Sequence, residues 1–133
     1  MRGDPRPSTG DDPPQDLEAL LDLVVSGLTR ILLEFEESYR AMLRLSLQSD
    51  SPGRELALRR GRRFIWIEDA LEPLRGRLSK DRFDRLVQAI SIAIGIEALV
   101  TLVDLAGLSR ERAVEVIRWS AKALLRSALS GTG

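Results

Sequence analysis

The chain has 133 residues and is 44% hydrophobic, which suits one domain with a substantial core. It contains no cysteine and no histidine, so disulfides, thiolate catalysis and histidine-based acid–base or metal chemistry are excluded. We therefore predict no enzyme activity, no metal and no cofactor. Basic and acidic residues number 20 each, so the net charge favours neither nucleic acid nor an anionic membrane as a partner.

The two ends of the chain differ in composition from the part between them. Residues 1–14 are rich in proline and aspartate and are predicted to be a disordered lead, because they bury too little apolar surface to offset chain entropy. They also lack the apolar segment of a secretion signal. Residues 15–130 are predicted to form one domain and residues 131–133 a short tail.

No membrane span is predicted. The most apolar stretch, residues 86–103, is interrupted by Glu97, and a charged group at mid-membrane costs about 2.5–3.5 kcal/mol. We therefore expect a cytoplasmic protein without membrane association.

The domain is predicted to be all-α, because apolar residues recur with the 3.6-residue period and no alternating strand pattern occurs. A first helix begins near Pro14. A second is either continuous with it or follows a kink near Glu34, and it stops at the loop QSDSPG, residues 48–53. A third helix covers residues 54–78, with Pro73 either kinking or restarting it.

Capping residues mark the last two of the five predicted helices. Ser79 is the predicted N-cap of the fourth helix, which runs to about Ala106. Gly107 fits the position just after that helix, where a left-handed backbone is common. Ser109 is then the predicted N-cap of a fifth helix over residues 110–129.

The fourth and fifth helices are apolar around more of their circumference than the stripe of about 100° that a surface helix needs. One interpretation makes the fourth helix the centre of a monomer, wrapped by the other four. We favour a homodimer in which these two helices from each chain form a four-helix interface. The residues predicted at this interface are Leu99, Leu102, Val103, Ile117, Ala121, Leu124 and Leu125.

Two long segments are similar to the C-terminal domain of TetR-type transcriptional regulators: RRGRRFIWIEDALEPL, residues 59–74, and residues 83–129. EESYRAMLRLSLQ, residues 36–48, resembles that domain's earlier helices. The resemblance covers residues 16–130. It depends on spaced features: Arg63, Trp66, Ala70–Leu71, Pro73–Leu74, Gly95–Glu97, Asp104, Gly107–Leu108 and Trp119.

The resemblance implies a five-helix bundle that dimerises through its last two helices and holds a small-molecule effector between the others. TetR-type regulators begin with a three-helix DNA-binding module, and this sequence has the Pro/Asp lead in its place. We therefore expect an effector-binding and dimerisation domain that reaches DNA only through a head absent from this chain. The alternatives are a purely structural homodimerisation module and a fragment of a full-length DNA-binding TetR repressor.

The carboxylate of Glu97 lies within the most apolar part of the chain. A buried, unpaired carboxylate would cost several kcal/mol, so we predict a structural ion pair with Arg63, with Arg40 and Arg44 as further candidate partners. A second interpretation makes Glu97 a polar anchor in the effector pocket. Asp104 is expected to reach solvent or a neighbouring helix cap.

The predicted effector pocket lies between the second, third and fourth helices. Its walls are expected to be apolar and aromatic, which favours a small hydrophobic effector. The predicted wall residues are Tyr39, Met42, Trp66, Ala70 and Ile94, joined by Glu97. The arginine cluster at residues 59–63 is interpreted as a solvated helix face, because no aromatic residues are interleaved with it and acidic residues follow.

Overall fold

All regular secondary structure in the described part of the protein is helical. The computed structural model describes residues 13–48 and 63–130, with side chains from Leu17 onward. Six α-helices occupy Pro13–Glu34 (α1), Glu36–Gln48 (α2), residues 63–70 (α3), Lys80–Ile94 (α4), Ile96–Val100 (α5) and Arg110–Leu129 (α6). A 3₁₀ turn at Glu72–Leu74 follows α3, and a π-helical turn at Thr101–Leu105 extends α5.

Local capping groups set three helix ends, as predicted. The Ser79 side chain accepts a hydrogen bond from the Arg82 backbone N–H at the start of α4. The Ser109 side chain accepts one from the Arg112 N–H at the start of α6. Gly107 follows the π-helical turn with a φ of 77°, in the left-handed region that favours glycine.

The first two helices are separate, which decides between the two predicted alternatives, and only Phe35 lies between them. The Phe35 N–H still bonds the Ile31 carbonyl at 3.0 Å, and the Tyr39 N–H bonds the Phe35 carbonyl at 3.0 Å. The break is therefore a kink rather than a loop. Helix α1 begins at Pro13, next to the predicted start near Pro14.

Several predicted features lie outside the described residues. They are the lead at residues 1–12, the loop at residues 49–53, the beginning of the third helix, most of the arginine cluster and the tail at residues 131–133.

The third helix ends earlier than predicted. Residues 63–70 are helical, the chain turns at Leu71, and the 3₁₀ turn then places Pro73 where a regular helix would need its backbone N–H. The predicted end at residue 78 is therefore wrong.

The prediction of one continuous fourth helix is also wrong. At Gly95 the backbone is extended, with φ −95° and ψ −172°, and the Ile96–Leu105 segment is bent by 44° from α4. No single described helix is long and apolar enough to cross a membrane. Only α4 and the bent segment taken together reach that length and composition.

Helix α6 packs against both α1 and α4, and this arrangement buries most of the core. A second cluster joins α1, α5 and α6 through Leu32, Ile96, Leu99 and Ala113.

The predicted dimer residues divide into two groups. Four are at most 1% exposed and belong to the chain's own core, so they are not available to a second chain: Leu99, Ile117, Ala121 and Leu125. This part of the prediction is wrong because α6 uses that face to pack inside its own chain. Leu102, Val103 and Leu124 are half-buried.

Charged side chains bind α1 to α6 along one edge. Arg118 donates two hydrogen bonds to the Asp22 carboxylate, at 3.0 and 2.6 Å. Arg126 makes the same two-pronged contact with Glu18, at 2.6 and 2.9 Å. Residue numbers rise along α1 as they fall along α6, so the two helices are antiparallel.

Candidate functional site

A cavity of about 410 Å³ lies between α1, α2 and the junction of α4 with α5. Its volume is within the range of about 300–1,000 Å³ that is usual for small-molecule pockets. The surrounding residues are mostly apolar: Leu28, Ile31, Leu32, Phe35, Ser38, Tyr39, Met42, Arg63, Ile94, Gly95 and Ile96. We call this cavity the pocket.

Three of the six residues predicted to form a pocket line this one: Tyr39, Met42 and Ile94. Two others lie elsewhere. Ala70 is 3% exposed within the core, and Trp66 is partly exposed on α3 outside the pocket lining.

Glu97 is not a lining residue either, although it contacts the pocket through its partner Arg63. Helix α3 contributes Arg63 to the wall rather than the predicted Trp66 and Ala70, and α1 with the adjoining Phe35 supplies four of the other lining residues.

The α1 wall was missed by the sequence-based reasoning. Leu28, Ile31, Leu32 and Phe35 line the pocket and follow the spacing of one helix face. That periodicity is visible in the sequence, but it indicates only that the face is covered. It does not distinguish packing against core from packing against a cavity, since both present the same apolar pattern.

At Gly95 the space that a side chain would fill is taken by the ends of two other side chains. A Cβ at this position would overlap the Arg63 Nη1 atom and lie 2.7 Å from Arg63 Cζ and 2.8 Å from Glu97 Oε1. The extended backbone of Gly95 is open to any residue, so the preference for glycine is steric rather than conformational. The present position of the Arg63 guanidinium in the pocket wall thus depends on Gly95.

The predicted ion pair between Arg63 and Glu97 is present. Arg63 Nη1 lies 3.6 Å from Glu97 Oε1. The Glu97 side chain is 44% exposed and that of Arg63 18%, so the carboxylate is not enclosed in the core as its apolar neighbours in the sequence had suggested. The bend at Gly95 turns the first residues of α5 so that this carboxylate reaches solvent.

Four charged residues form a network beside the pocket. Arg40 donates to the Asp104 carboxylate at 2.8 and 3.0 Å and to Glu36 at 2.8 Å. Arg110, the first residue of α6, donates two hydrogen bonds of 2.7 Å to the same Glu36 carboxylate. Asp104 is partly exposed, as expected, and it pairs with Arg40 rather than with a helix cap.

Hydrogen bonds within this network shift the acidity of its carboxyl groups. The bonds from Arg110, and then from Arg40, lower the pKa of Glu36 to about 2, although partial burial acts in the opposite direction. The bond from Arg40 likewise lowers the pKa of Asp104. Both carboxylates are therefore charged at neutral pH and hold α2 to the end of the π-helical turn and to the start of α6.

The outer surface between α4 and α6 is a shallow groove, which we call the α4/α6 groove. Its lining combines small and apolar residues with two arginines: Arg82, Arg85, Leu86, Ala89, Leu124, Ser127 and Ala128. Ile92 lies one turn beyond Ala89 on α4 and is 74% exposed.

Comparison with protein-family models, with curated proteins and with solved structures finds no match to this chain. A functional proposal therefore draws on the spaced sequence features and on the geometry of the pocket and the α4/α6 groove.

Proposed function

We propose that this chain is the effector-binding and dimerisation domain of a TetR-like transcriptional regulator. The observation that carries the proposal is the open pocket of about 410 Å³ that is lined by α1, α2, Arg63 of α3 and the α4/α5 junction. Its largely apolar walls suit a small hydrophobic effector. DNA binding is not assigned to these helices.

The surroundings of the pocket support a regulatory role over simple storage of a ligand. Helix α2 contributes Tyr39 and Met42 to the wall, and its residues Glu36 and Arg40 are bonded to α6 and to the π-helical turn. A ligand that displaces α2 would therefore alter contacts with α6 directly. Coupling of this kind requires that the ligand bind the two arrangements with different affinity.

Dimerisation is proposed to use the outward side of α4 and α6. In the α4/α6 groove, Ala89, Ser127 and Ala128 are small enough for a second helix to approach closely. Ile92 supplies an exposed apolar group beside them, and Leu124 is the one lining residue that also belongs to the predicted interface. The symmetric pairing of this groove in two copies would form a four-helix interface.

Ligand binding is tested with Nile red, a neutral dye whose fluorescence rises in apolar surroundings. Met42→Trp places a large ring in the pocket and should abolish dye binding. Leu45→Trp is the matched control, because Leu45 is an exposed residue of the same helix outside the pocket lining. We expect Leu45→Trp to bind the dye with the wild-type midpoint.

A bound ligand should also stabilise the fold. At a hundredfold excess over Kd the expected gain in the free energy of unfolding is about 2.7 kcal/mol, which raises the melting temperature by roughly 5–10 °C. A dimer that binds no apolar probe would instead favour the purely structural homodimerisation module.

A further inference from the structure

We infer that the effector of this pocket is an amphipathic carboxylate whose acid group binds Arg63 and whose apolar tail lies along α1. The inference rests on the proposed function, because it requires the pocket to bind a small molecule. It adds the chemical class of that molecule.

The charge of the pocket points to an anion. Arg63 is the one charged side chain among the described residues that line it, and most of the others are apolar. The Arg63 side chain is 18% exposed, so its guanidinium is largely removed from water. A ligand with a cationic end would be repelled by this guanidinium, whereas a neutral ligand would gain no charge-assisted bond from it.

The geometry of the existing ion pair leaves room for exchange. Arg63 Nη1 and Glu97 Oε1 are 3.6 Å apart, whereas the arginine–carboxylate pairs between α1 and α6 close to 2.6 Å. Charge-assisted hydrogen bonds are usually about 2.7–2.9 Å long, so the Nη1–Oε1 distance of the Arg63–Glu97 pair exceeds that of a close bond. The Glu97 side chain is 44% exposed, so water can solvate its carboxylate when another carboxylate binds Arg63.

The identity of the resident partner favours a carboxylate over other anions. A ligand carboxylate would replace the Glu97 carboxylate with a group of the same charge and shape, so the charge balance at Arg63 would be unchanged. The planar guanidinium also presents paired N–H donors that match the two oxygens of a carboxylate.

The apolar part of the ligand has a defined place. Ile31 and Leu28 lie one turn apart on α1 and continue the wall, while Phe35 and Met42 stand at its exposed edge. An unbranched alkyl chain can follow this wall from Arg63 toward α1. The size of the cavity suits a tail of medium length.

The test compares three probes that share one tail: decanoate, 1-decanol and decylammonium, each below its micelle concentration, measured by isothermal titration calorimetry. We expect wild-type protein to bind decanoate roughly tenfold to a hundredfold more tightly than decanol, since one charge-assisted bond separates them. Decylammonium should bind most weakly.

Three variants assign the preference to Arg63. Arg63→Gln should lower the affinity for decanoate to the level of the affinity for decanol. Its affinity for decanol should stay within about twofold of the wild-type value, and this unchanged binding would show that the pocket of the variant is intact. Glu97→Gln should strengthen decanoate binding, because the competing carboxylate is gone. Arg30 is an exposed residue of α1 outside the pocket lining, so Arg30→Gln should change neither the affinity for decanoate nor that for decanol.

The outcomes separate this inference from the proposed function. If wild-type protein binds decanol as tightly as decanoate, and Met42→Trp abolishes both, the pocket is real and the carboxylate assignment is wrong. Weaker decanoate binding by Glu97→Gln would also overturn the assignment, and this result does not depend on whether Arg63→Gln folds. If none of the probes binds, the inference and the proposed function fail together.

Discussion

The guanidinium of Arg63 occupies the space that a side chain at residue 95 would need, so Arg63 and Gly95 are fitted to each other. This contact joins α3 to the break between α4 and α5. It also places a cation in a pocket wall that is otherwise mostly apolar. One steric fit therefore contributes to the shape of the fold and to the chemistry of the pocket.

Replacing Gly95 with alanine should destabilise the protein. The added Cβ would overlap Arg63 Nη1 and crowd Glu97 Oε1, so the guanidinium must move out of its place. Because the displaced groups are the ends of flexible side chains, we expect a loss at the low end of overpacking costs, about 1 kcal/mol in the free energy of unfolding, which urea denaturation can measure.

Gly27→Ala is the matched control for that substitution. Gly27 lies within α1, and a Cβ there would meet nothing within 4 Å, so the variant should be more stable than wild type by about 0.5–1 kcal/mol. If both alanine variants are stabilised, the contact between Arg63 and Gly95 does not exist as described.

Acid should weaken the fold through Glu36. Its pKa falls from 4.5 to about 2 in the folded protein, so between these values the unfolded chain binds more protons. The stabilisation from Glu36 is therefore complete above about pH 4.5 and is lost as the pH falls toward 2. We expect a loss of about 1–2 kcal/mol, since solvent screens part of the interaction with the exposed Arg110.

The contribution of Glu36 can be isolated from that of the other carboxyl groups with Glu36→Gln. This variant should be less stable than wild type at pH 7, and the difference in the free energy of unfolding should shrink as the pH falls. Glu37→Gln is the control, because Glu37 is an exposed neighbour on the same helix. A difference that stays constant with pH would contradict the assignment.

Ile92→Arg should separate dimerisation from folding. Ile92 is 74% exposed in the single chain, so arginine at this position should leave the stability of the monomer nearly unchanged. In a dimer formed through the α4/α6 groove, the new charge would be buried without a partner and would disfavour association. Light scattering after size-exclusion chromatography should show a dimer for wild type and a monomer for Ile92→Arg.

Leu23→Arg is the corresponding control, because Leu23 is 71% exposed on α1 and lies outside the α4/α6 groove. It should remain dimeric. Monomer formation by this variant, or a dimeric Ile92→Arg, would show that the chains associate through another surface.

The ion pair between Asp22 and Arg118 should contribute measurably to the packing of α1 on α6. Its bonds of 2.6 and 3.0 Å lower the pKa of Asp22, and its carboxylate is only 24% exposed. A double-mutant cycle with Asp22→Asn and Arg118→Gln should give a coupling energy of about 0.5–1 kcal/mol.

The cycle between Lys80 and Asp84 provides the comparison. These residues form a pair of similar length, 2.7 Å, but lie on the surface of α4. We expect no measurable coupling there. Equal coupling in both pairs would mean that the link between helices adds nothing beyond a surface contact.

Some features of the site could be predicted because they depend on residue chemistry. The pair between Glu97 and Arg63 was predicted from the apolar neighbours of Glu97 and is present, although the carboxylate is 44% exposed rather than buried. The wall residues Tyr39 and Met42 were found from their place on an amphipathic helix. Trp66 was misassigned, because its large apolar ring suits a pocket wall and an exposed position equally well in the sequence pattern.

The sequence by itself determined the helical class, the Ser79 and Ser109 caps, the left-handed turn at Gly107 and the bounds of α6. These features involve groups only a few residues apart, so local hydrogen bonding and backbone preference decide them. Only the tertiary structure showed that α4 breaks at Gly95 and that the space beside Gly95 is filled by Arg63, a residue of another helix. It also decided which apolar face of α6 is buried: periodicity shows that a face must be covered, but only the packed helices show what covers it.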